Sequence, residues 1–369
     1  MGLVPVEDPA CTRLAGTMVV AGMLLRRPFL STFTDFHITL MFYLGIDVSK
    51  AKLDCALQRP DTHKRLNKTV ANTPAGVNDL LAWLDKHGVA TAQLHIIMEP
   101  TGVYHERAAT TLVDAGCTLS LVNPARLRSY ATALGISSKN DTIDSVVLAR
   151  YGAAEKPEAW TPASPIARKL TALLARREAL AEGIRREENR QEKALCALAT
   201  PALVLASLTE SIEFLSKQLT SLDRDINDHI DSDPGLKNND RLLQTINGVG
   251  PRVASRMNAL MSTHSFDSAE ALAAYLGLVP NEWQSGTSVR GKARMSKRGP
   301  SDIRKLLYLP AVVATRCNPQ VKALYERLLA RGKPKMAAIG AAMRKLAHLC
   351  YGVIHTQTPY DPHYTVVAA

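Results

Sequence analysis

Four acidic residues in the first half of the chain stand at positions where their side chains can meet. Asp47 lies near the end of one expected strand, and Glu99 directly follows another. Asp141 and Asp144 are three residues apart at the start of an expected helix, so they share one helical face. If the first and fourth strands are neighbours in the sheet, all four carboxylates converge.

Converging carboxylates repel one another unless cations bind between them, and hard oxygen ligands suit Mg²⁺. Two such ions can clamp the attacking and leaving oxygens of a phosphoryl transfer. The four acids therefore predict a magnesium-dependent site, with two ions, that acts on phosphate esters. Taken alone, Asp141 is equally well explained as the N-cap of its helix.

A second candidate site lies in the segment 277–300, which is rich in glycine and cations. Ser285 precedes a glycine there, and nearby positive charge could activate its hydroxyl and stabilise a pentavalent phosphate. A Ser-Gly pair is also a common turn, and Ser288 and Ser296 are equal candidates by composition. The cations in and directly after the segment are Arg290, Lys292, Arg294, Lys297, Arg298, Arg304 and Lys305.

A third signal is the string TINGVGP at 245–251, between two helical stretches. Gly248 and Gly250 would allow a hairpin whose backbone amides grip a DNA phosphate, as in a helix-hairpin-helix unit. The alternative is a plain turn between helices.

The elements that must position the acids follow from the hydrophobic pattern. Strands are expected at Phe42–Val48, Lys52–Leu57, Arg65–Ala71, Leu94–Met98 and Thr118–Val122. Helices are expected at 73–85, Tyr104–Ala115 and Asp141–Tyr151. The order βββαβαβα indicates an α/β domain of the RNase H-like class.

The rest of the chain changes character. Residues 164–232 are rich in Ala, Leu, Glu and Arg, with apolar stripes that fit two antiparallel helices or an intermolecular coiled coil. We expect an upstream extension with little order at 1–40, the α/β domain at 41–160, the long helices at 161–235, a mainly helical domain at 236–360 and a tail at 361–369.

Charge and cysteine content restrict the partners. Residues 241–350 hold 18 Lys and Arg against 5 Asp and Glu, a net charge of +13, whereas the whole chain carries +11. A region this basic favours binding to a polyanion, since contact with phosphates releases condensed counterions. The 6 cysteines lie far apart with no CxxC pair, which favours a reduced, cytoplasmic protein without structural zinc.

An apolar run of about a dozen residues within 12–25 is too short for a membrane helix, which needs roughly 20. It also lacks a clear signal-peptide cleavage site. Met41 directly precedes the first strand, so residues 1–40 are interpreted as an upstream extension of the reading frame, and no membrane association is expected.

Eight strings, spread from Met41 to Pro359, together resemble the DEDD-type transposases of the "one-hundred-ten" insertion-sequence family. The family is similar to pilin-gene invertases, and its members are also called bridge recombinases. The strings are YLGIDVSKAKLD, MEPTGVY, NPARLRSYA, KNDTIDS, TINGVGPRVA, AAYLGLVPNEWQSGTSVRGKARMSKRG, IRKLLYLPAVVAT and AAMRKLAHLCYGV. Two mild departures are Asn140, where Thr is commoner, and Ser145 after the last acid.

The resemblance implies roles that composition does not. Asp47, Glu99, Asp141 and Asp144 fall on the family's DEDD tetrad, which sits in a RuvC-like domain with Mg²⁺. Ser285 falls on the serine that becomes covalently joined to DNA. The long helices fall on a coiled-coil linker associated with assembly, as a dimer or tetramer, and with RNA contact. A structured bridge RNA would pair with donor and target DNA and carry most of the sequence specificity.

The expected reaction is therefore RNA-guided DNA cleavage and rejoining through a phosphoserine intermediate, in a bacterial, nucleoid-associated enzyme. We expect the acids and Ser285 to form a composite site between protomers, which mixing Asp47→Ala and Ser285→Ala chains would test. The alternative is a metal-dependent nuclease of the Holliday-junction-resolvase type, in which water is the nucleophile and Ser285 only contacts phosphate.

Overall fold

The computed structural model describes residues 41–60, 65–136, 138, 140–281, 284–285, 289–290 and 294–364. For residues 284–285 and 289–290 it describes the backbone. The proposed extension at 1–40, together with Gly286, Ser288 and Lys292, lies outside the described residues. The chain divides into two compact units, the first ending at Trp160 and the second beginning at Thr161.

The first unit is a five-stranded mixed sheet with helices on both faces. Its strands are β1 (Phe42–Val48), β2 (Lys52–Gln58), β3 (Arg65–Ala71), β4 (Leu94–Met98) and β5 (Thr118–Leu121). Its helices are α1 (Pro74–Lys86), α2 (Tyr104–Asp114), α3 (Pro124–Ala133) and α4 (Asp141–Glu155), with a short 3₁₀ turn at Thr91–Gln93. The strand order is β3-β2-β1-β4-β5.

Strand β1 lies at the centre of this sheet. It pairs antiparallel with β2, which pairs antiparallel with β3, so the first three strands form a meander. On its other side β1 pairs parallel with β4, which pairs parallel with β5. The first and fourth strands are thus neighbours, as the convergence of the acids requires.

The two faces of the sheet carry different helices. Alternate residues of β1 and β4, among them Leu44, Ile46 and Ile96, pack with α1 and α2 in one apolar cluster. Ile97, on the opposite face, packs with α3 and α4, where Tyr151 contributes to a second cluster. The face that carries Ile97 is called the α4 face below.

The structure confirms the predicted strands and helices of this unit, with ends that differ by a few residues at most. Helix α3 was not among the helices predicted from the sequence. Only Leu127 of α3 is buried, so its apolar pattern is weak, although Asn123 caps it and Pro124 occupies its first turn. The Asn123-Pro124 pair is the feature of the sequence that could have predicted the start of this helix.

The described part of the second unit is mainly helical. Its helices are α5 (Pro165–Cys196), α6 (Ala202–Asp231), α7 (Pro234–Gln244), α8 (Pro251–Thr263), α9 (Ala269–Tyr275), α10 (Ser301–Cys317), α11 (Pro319–Ala330) and α12 (Lys335–Thr356). Four two-residue strands lie between α9 and α10: β6 (Pro280–Asn281), β7 (Gln284–Ser285), β8 (Val289–Arg290) and β9 (Arg294–Met295). A mixed α/β first part followed by a mainly helical second part was predicted and is confirmed.

Helices α5 and α6 pack against each other along their length within one chain. Near one end, Leu170 and Leu174 of α5 join Ile226 and Ile230 of α6 in an apolar cluster. Further along, Arg177 pairs with Asp223 at 2.6 Å, and Gln191 donates to Thr209 at 2.9 Å. The two partners of each contact come closer in sequence along this series, so the two helices are antiparallel. An antiparallel pair was one of the two arrangements that the apolar stripes predicted.

The five described cysteines, Cys55, Cys117, Cys196, Cys317 and Cys350, are free thiols. In the part of the chain that the structure covers, no helix is long and apolar enough to cross a bilayer.

Candidate active site and nucleic-acid interface

The sheet brings the first two acids together. The parallel register pairs Ile46 with Met98, so Asp47 and Glu99 are the next residues of neighbouring strands. Both lie on the α4 face, because side chains alternate and Ile97 points to that face. Two of the four predicted acids therefore lie side by side where α4 covers the sheet.

The other two acids come from the first turn of α4, which contains both Asp141 and Asp144. The N-cap of this helix is Asn140, whose Oδ1 accepts a hydrogen bond from the amide of Ile143 at 2.7 Å. The interpretation of Asp141 as merely the N-cap is therefore wrong, since the preceding residue performs that role. Asn140, a departure from the family string, is also a strongly favoured N-cap residue.

Gly45 allows α4 to approach β1 closely. A Cβ atom on Gly45 would lie 1.9 Å from the carbonyl oxygen of Ser145 and 2.5 Å from the amide nitrogen of Ala149. Any side chain there would push the helix outward. The absence of a side chain two residues before Asp47 therefore decides how close the helix-borne acids come to the strand-borne acids.

Asp47 responds to this crowding. Burial, and then the charges of Asp141, Asp144, Glu99 and Asp54, raise the pKa of Asp47 from 3.8 to about 6. All four predicted acids therefore interact electrostatically with one another. These four acids and Asp54 are called the acidic cluster below. Repulsion between these carboxylates disfavours their ionised forms and favours the binding of a cation beside them.

Sequence reasoning missed two members of this site, Asp54 and Lys52. Asp54 lies directly opposite Asp47 in the β1–β2 register and is 8% exposed. Its Oδ1 accepts from the Thr69 hydroxyl at 2.7 Å. Its Oδ2 lies 2.9 Å from the Lys52 Nζ, which is also 2.8 Å from the Asp141 Oδ2. The available signal was a carboxylate inside the otherwise apolar strand segment LDCAL.

The turn that carries Lys52 is tied to the start of α2. The side-chain amide of Asn72 donates to the carbonyl of Ser49 at 2.9 Å and to that of Tyr104 at 3.0 Å. The same residue's backbone amide donates to Ala51 at 2.9 Å. Asn72 therefore holds the β1–β2 turn beside the loop that follows Glu99.

The carboxylates of the acidic cluster are spread over several elements and do not form one compact group. Among the described residues, no three His, Cys, Asp or Glu side chains are grouped closely enough to hold one metal ion. The ammonium group of Lys52 lies between Asp141 and Asp54 instead.

Ser285 lies in a small nested hairpin of the second unit. Strands β6 and β9 form the outer antiparallel pair, and β7 and β8 form the inner one. In the inner pair the backbone of Ser285 faces Val289, and Gln284 faces Arg290. Ser285 is therefore the last residue of β7, in a strand pair that lies between β6 and β9 along the chain.

Ser296, one of the rival serines, is placed differently. Its Oγ is buried and finds no hydrogen-bond partner in the described part of the chain, while its amide donates to Val279 at 2.9 Å. A buried hydroxyl is a poor nucleophile for DNA. By contrast Arg294, Lys297 and Arg298 are exposed in the same segment.

Arg304 is a structural anchor rather than a free cation. Its Nη1 donates to the carbonyls of Leu276, Arg298, Gly299 and Pro300 at 3.1, 3.1, 2.9 and 3.3 Å. The two ends of the segment also touch, since a Cβ on Gly299 would lie 1.9 Å from the Tyr275 carbonyl. The base of the nested hairpin is thus rigidly closed.

The loop between α7 and α8 contains the two predicted glycines. Gly248 has φ +101°, a backbone conformation that favours glycine. A Cβ atom added at Gly248 would lie 2.9 Å from the Cβ of Ala314 in α10. Gly250 caps α8, and a Cβ there would meet nothing within 4 Å among the described residues. One glycine is thus required by packing, whereas the other leaves the helix N-terminus open.

Comparison with known proteins reveals the relatives of this chain. A family model for DEDD transposases, described as "Transposase", matches residues 44–199, and one described as "Transposase IS116/IS110/IS902 family" matches residues 240–326. The pilin gene-inverting protein of Moraxella bovis is 35% identical over 321 residues, which cover 86% of this chain and 97% of that protein. The chain belongs to the IS110 family of transposases.

Two further likenesses are weaker. A 43.6 kDa insertion element IS110 protein of Streptomyces coelicolor is 27% identical over 160 residues, covering 43% of this chain and 38% of that protein. A solved structure of T. thermophilus RuvC with a Holliday junction substrate is 13% identical, with a TM-score of 0.25, and covers 32% of this chain and 98% of that one. The likeness to RuvC carries no argument at that score.

Membership of the IS110 family makes this chain an enzyme, a transposase that recombines DNA. The two matching family models cover the acidic cluster and the nested hairpin respectively. Both candidate sites of the sequence analysis therefore lie within family-defining regions.

Proposed function

We propose that this IS110 transposase cuts and rejoins donor and target DNA through Ser285, assisted by divalent cations at Asp47, Glu99, Asp141 and Asp144. The observation that carries this proposal is the convergence of the four acids on the α4 face, where burial, and then the charges of the neighbouring carboxylates, raise the pKa of Asp47 to about 6. Carboxylates brought this close together repel one another, and a bound cation relieves that repulsion.

The topology supports the same proposal. A meander of three strands, followed by two parallel strands joined through helices, is the arrangement expected of an RNase H-like, RuvC-like domain. In this chain the arrangement places an acid at the end of the central strand and another at the end of its parallel neighbour.

The donor set fits a hard divalent cation such as Mg²⁺, and we propose two ions. All the donors are carboxylate oxygens, which Mg²⁺ prefers. Bound Mg²⁺ would supply positive charge to the phosphate undergoing attack. The chain contributes the positions of the carboxylates, through the β1–β4 register, the Asn140 cap and the close approach at Gly45.

Ser285 is proposed as the nucleophile. Its Oγ would form a bond to phosphorus while the bond from phosphorus to one bridging oxygen of the DNA breaks. The serine proton is balanced by protonation of the leaving oxygen. The phosphoserine conserves the ester bond, so the reverse attack by a DNA hydroxyl rejoins a strand and regenerates Ser285 without ATP.

The basic second unit is proposed to bind nucleic acid. The exposed Arg294, Lys297 and Arg298 would contact phosphates near Ser285, with Arg290 and Lys292 of the same segment. The open N-terminus of α8, at Gly250, would hold a further phosphate through backbone amides, with Gly248 shaping the loop. These contacts are independent of base sequence.

We propose that a structured guide RNA supplies the sequence specificity. The net charge of +13 over residues 241–350 supports binding of more polyanion than one short duplex. Self-association as a dimer or tetramer is supported by apolar side chains that are exposed near the turn of the α5–α6 pair, at Leu195, Leu198 and Leu203, and further along α6, at Phe214.

A denaturing gel tests the mechanism. Full-length protein is incubated with Mg²⁺, labelled DNA containing the element junction, and RNA transcribed from the flanks of the gene. We expect a detergent-resistant protein–DNA band that requires the RNA and is lost in Ser285→Ala and Asp144→Ala.

Ser296→Ala is the matched control and should retain the band, because that hydroxyl is buried. Cleaved DNA without the band, unchanged by Ser285→Ala, would contradict the serine mechanism. That result would instead indicate a hydrolytic nuclease of the resolvase type with water as nucleophile.

A further inference from the structure

Lys52 forms a direct charged contact with the acidic cluster. Its Nζ lies 2.8 Å from the Oδ2 of Asp141 and 2.9 Å from the Oδ2 of Asp54. One ammonium group thus compensates two carboxylates.

The backbone holds Lys52 in this place. Its amide donates to the Ser49 hydroxyl at 3.1 Å, and its carbonyl accepts from the same hydroxyl at 2.9 Å. Lys52 and Asp54 are two residues apart on one strand, so both side chains point to the α4 face. The turn therefore presents the ammonium to the cluster at a fixed register.

The partners of Lys52 belong to different elements. Asp54 is held on β2 by the Thr69 hydroxyl of β3, whereas Asp141 lies in the first turn of α4. The Lys52 side chain therefore connects the meander to the helix that carries two of the four proposed ligands. This contact uses an oxygen of Asp141 that a metal ion would also need.

We propose that Lys52 is a built-in counter-ion that competes with divalent cations for the Asp141 carboxylate. It compensates the acidic cluster while no metal is bound, and a metal ion displaces it. This inference rests on the proposed metal site at the four acids. Its consequence is that Lys52 weakens metal binding by the cluster.

Direct titration of the full-length protein with Mn²⁺, without nucleic acid, tests this role. The free Mn²⁺ is measured by electron paramagnetic resonance. We expect Lys52→Met to bind Mn²⁺ about fivefold more tightly than the wild type, the factor that corresponds to losing an exposed ion pair at the upper end of its usual range. Lys52→Arg, which keeps the charge, should bind as the wild type does.

Two controls separate the contact from net charge and from folding. Lys50→Met removes the same charge from the same turn, at an exposed position, and should change the affinity by less than twofold because solvent and salt screen it. Lys52→Gln provides a second neutral variant if Lys52→Met does not fold, as judged by circular dichroism.

Unchanged or weaker Mn²⁺ binding by both neutral variants would overturn the role of Lys52. An equal gain in Lys50→Met would also overturn it, because net charge would then explain the effect. Asp47→Ala should lose Mn²⁺ binding in either case. If Asp47→Ala binds Mn²⁺ as the wild type does, the proposed metal site and the role of Lys52 both fail.

Discussion

The acidic cluster and the nested hairpin hold the proposed metal ligands and the proposed nucleophile in different ways. The acids lie at the ends of paired strands and in the first turn of a capped helix, where backbone hydrogen bonds fix each position. Ser285 lies at the end of a strand of only two residues. The base of its hairpin is closed by Arg304 and by two glycine contacts.

This contrast has a physical reason. Metal ligands must be placed before the metal binds, so they belong on elements whose geometry changes little. A nucleophile on a loop can instead approach a large substrate after the substrate binds, which suits exchange of DNA strands. Mutations in the two regions should therefore change different measured properties of the protein.

The largest effect is expected when a ligand is neutralised without loss of shape. Glu99→Gln should reduce DNA cleavage by at least about a hundredfold, because the proposed cation loses one of its charged ligands. DNA binding, measured by gel shift, should be unchanged, since the basic residues that we propose to contact DNA lie in the second unit. A parallel loss of DNA binding would break the distinction between the two regions.

Gly45→Ala tests whether close helix approach positions the acids. The new Cβ would overlap the Ser145 carbonyl, so α4 must move outward or the unit must lose stability by about 3 kcal/mol. Thermal unfolding should show a lower transition for the first unit alone. Unchanged stability together with full activity would show that the approach at Gly45 does not position Asp141 and Asp144.

The pH dependence of metal-free stability sharpens the electrostatic part of the comparison. Because the pKa of Asp47 is raised from 3.8 to about 6, the folded state holds its proton more tightly than the unfolded state. This stabilisation is fully present below about pH 4 and is lost as the pH rises through about 6.

At pH 7 the ionised carboxylate is therefore destabilising, and Asp47→Asn should raise the free energy of unfolding of metal-free protein by about 1 to 2 kcal/mol, allowing for solvent screening. Denaturant titrations at pH 4 and pH 7 measure the difference. At pH 4 the gain should become much smaller. An equal gain at both values would contradict an electrostatic origin.

The smallest effect is expected in the long helices of the second unit. Gly183 lies inside α5, and a Cβ there would make an ordinary 3.5 Å contact with Leu215. Gly183→Ala should therefore stabilise the helix by about 0.5 to 1 kcal/mol, without changing cleavage. Calorimetry on full-length protein would show it, and destabilisation would indicate that the α5–α6 contact is tighter than the structure has it.

Much of the first unit was predictable from sequence because its strands are short apolar runs and its helices have caps and one apolar face. The boundaries of β1, β3 and β4 agree with the prediction. Helix α3 was missed, since it buries one side chain and its stability depends on packing. The two-residue strands around Ser285 were beyond any periodicity argument.

Of the candidate site, the four acids and Ser285 were accessible from sequence because strand ends, an i, i+3 pair and the family strings identified them. Residue types and local spacing were sufficient for the acids, whereas only the family strings distinguished Ser285 from Ser288 and Ser296. Tertiary structure alone decided that Asn140, not Asp141, caps α4, and that the Ser296 hydroxyl is buried. It also decided that Asp54 faces Asp47, with Lys52 between Asp54 and Asp141. These facts depend on strand register and on the distance between helix and sheet, which many distant residues set together.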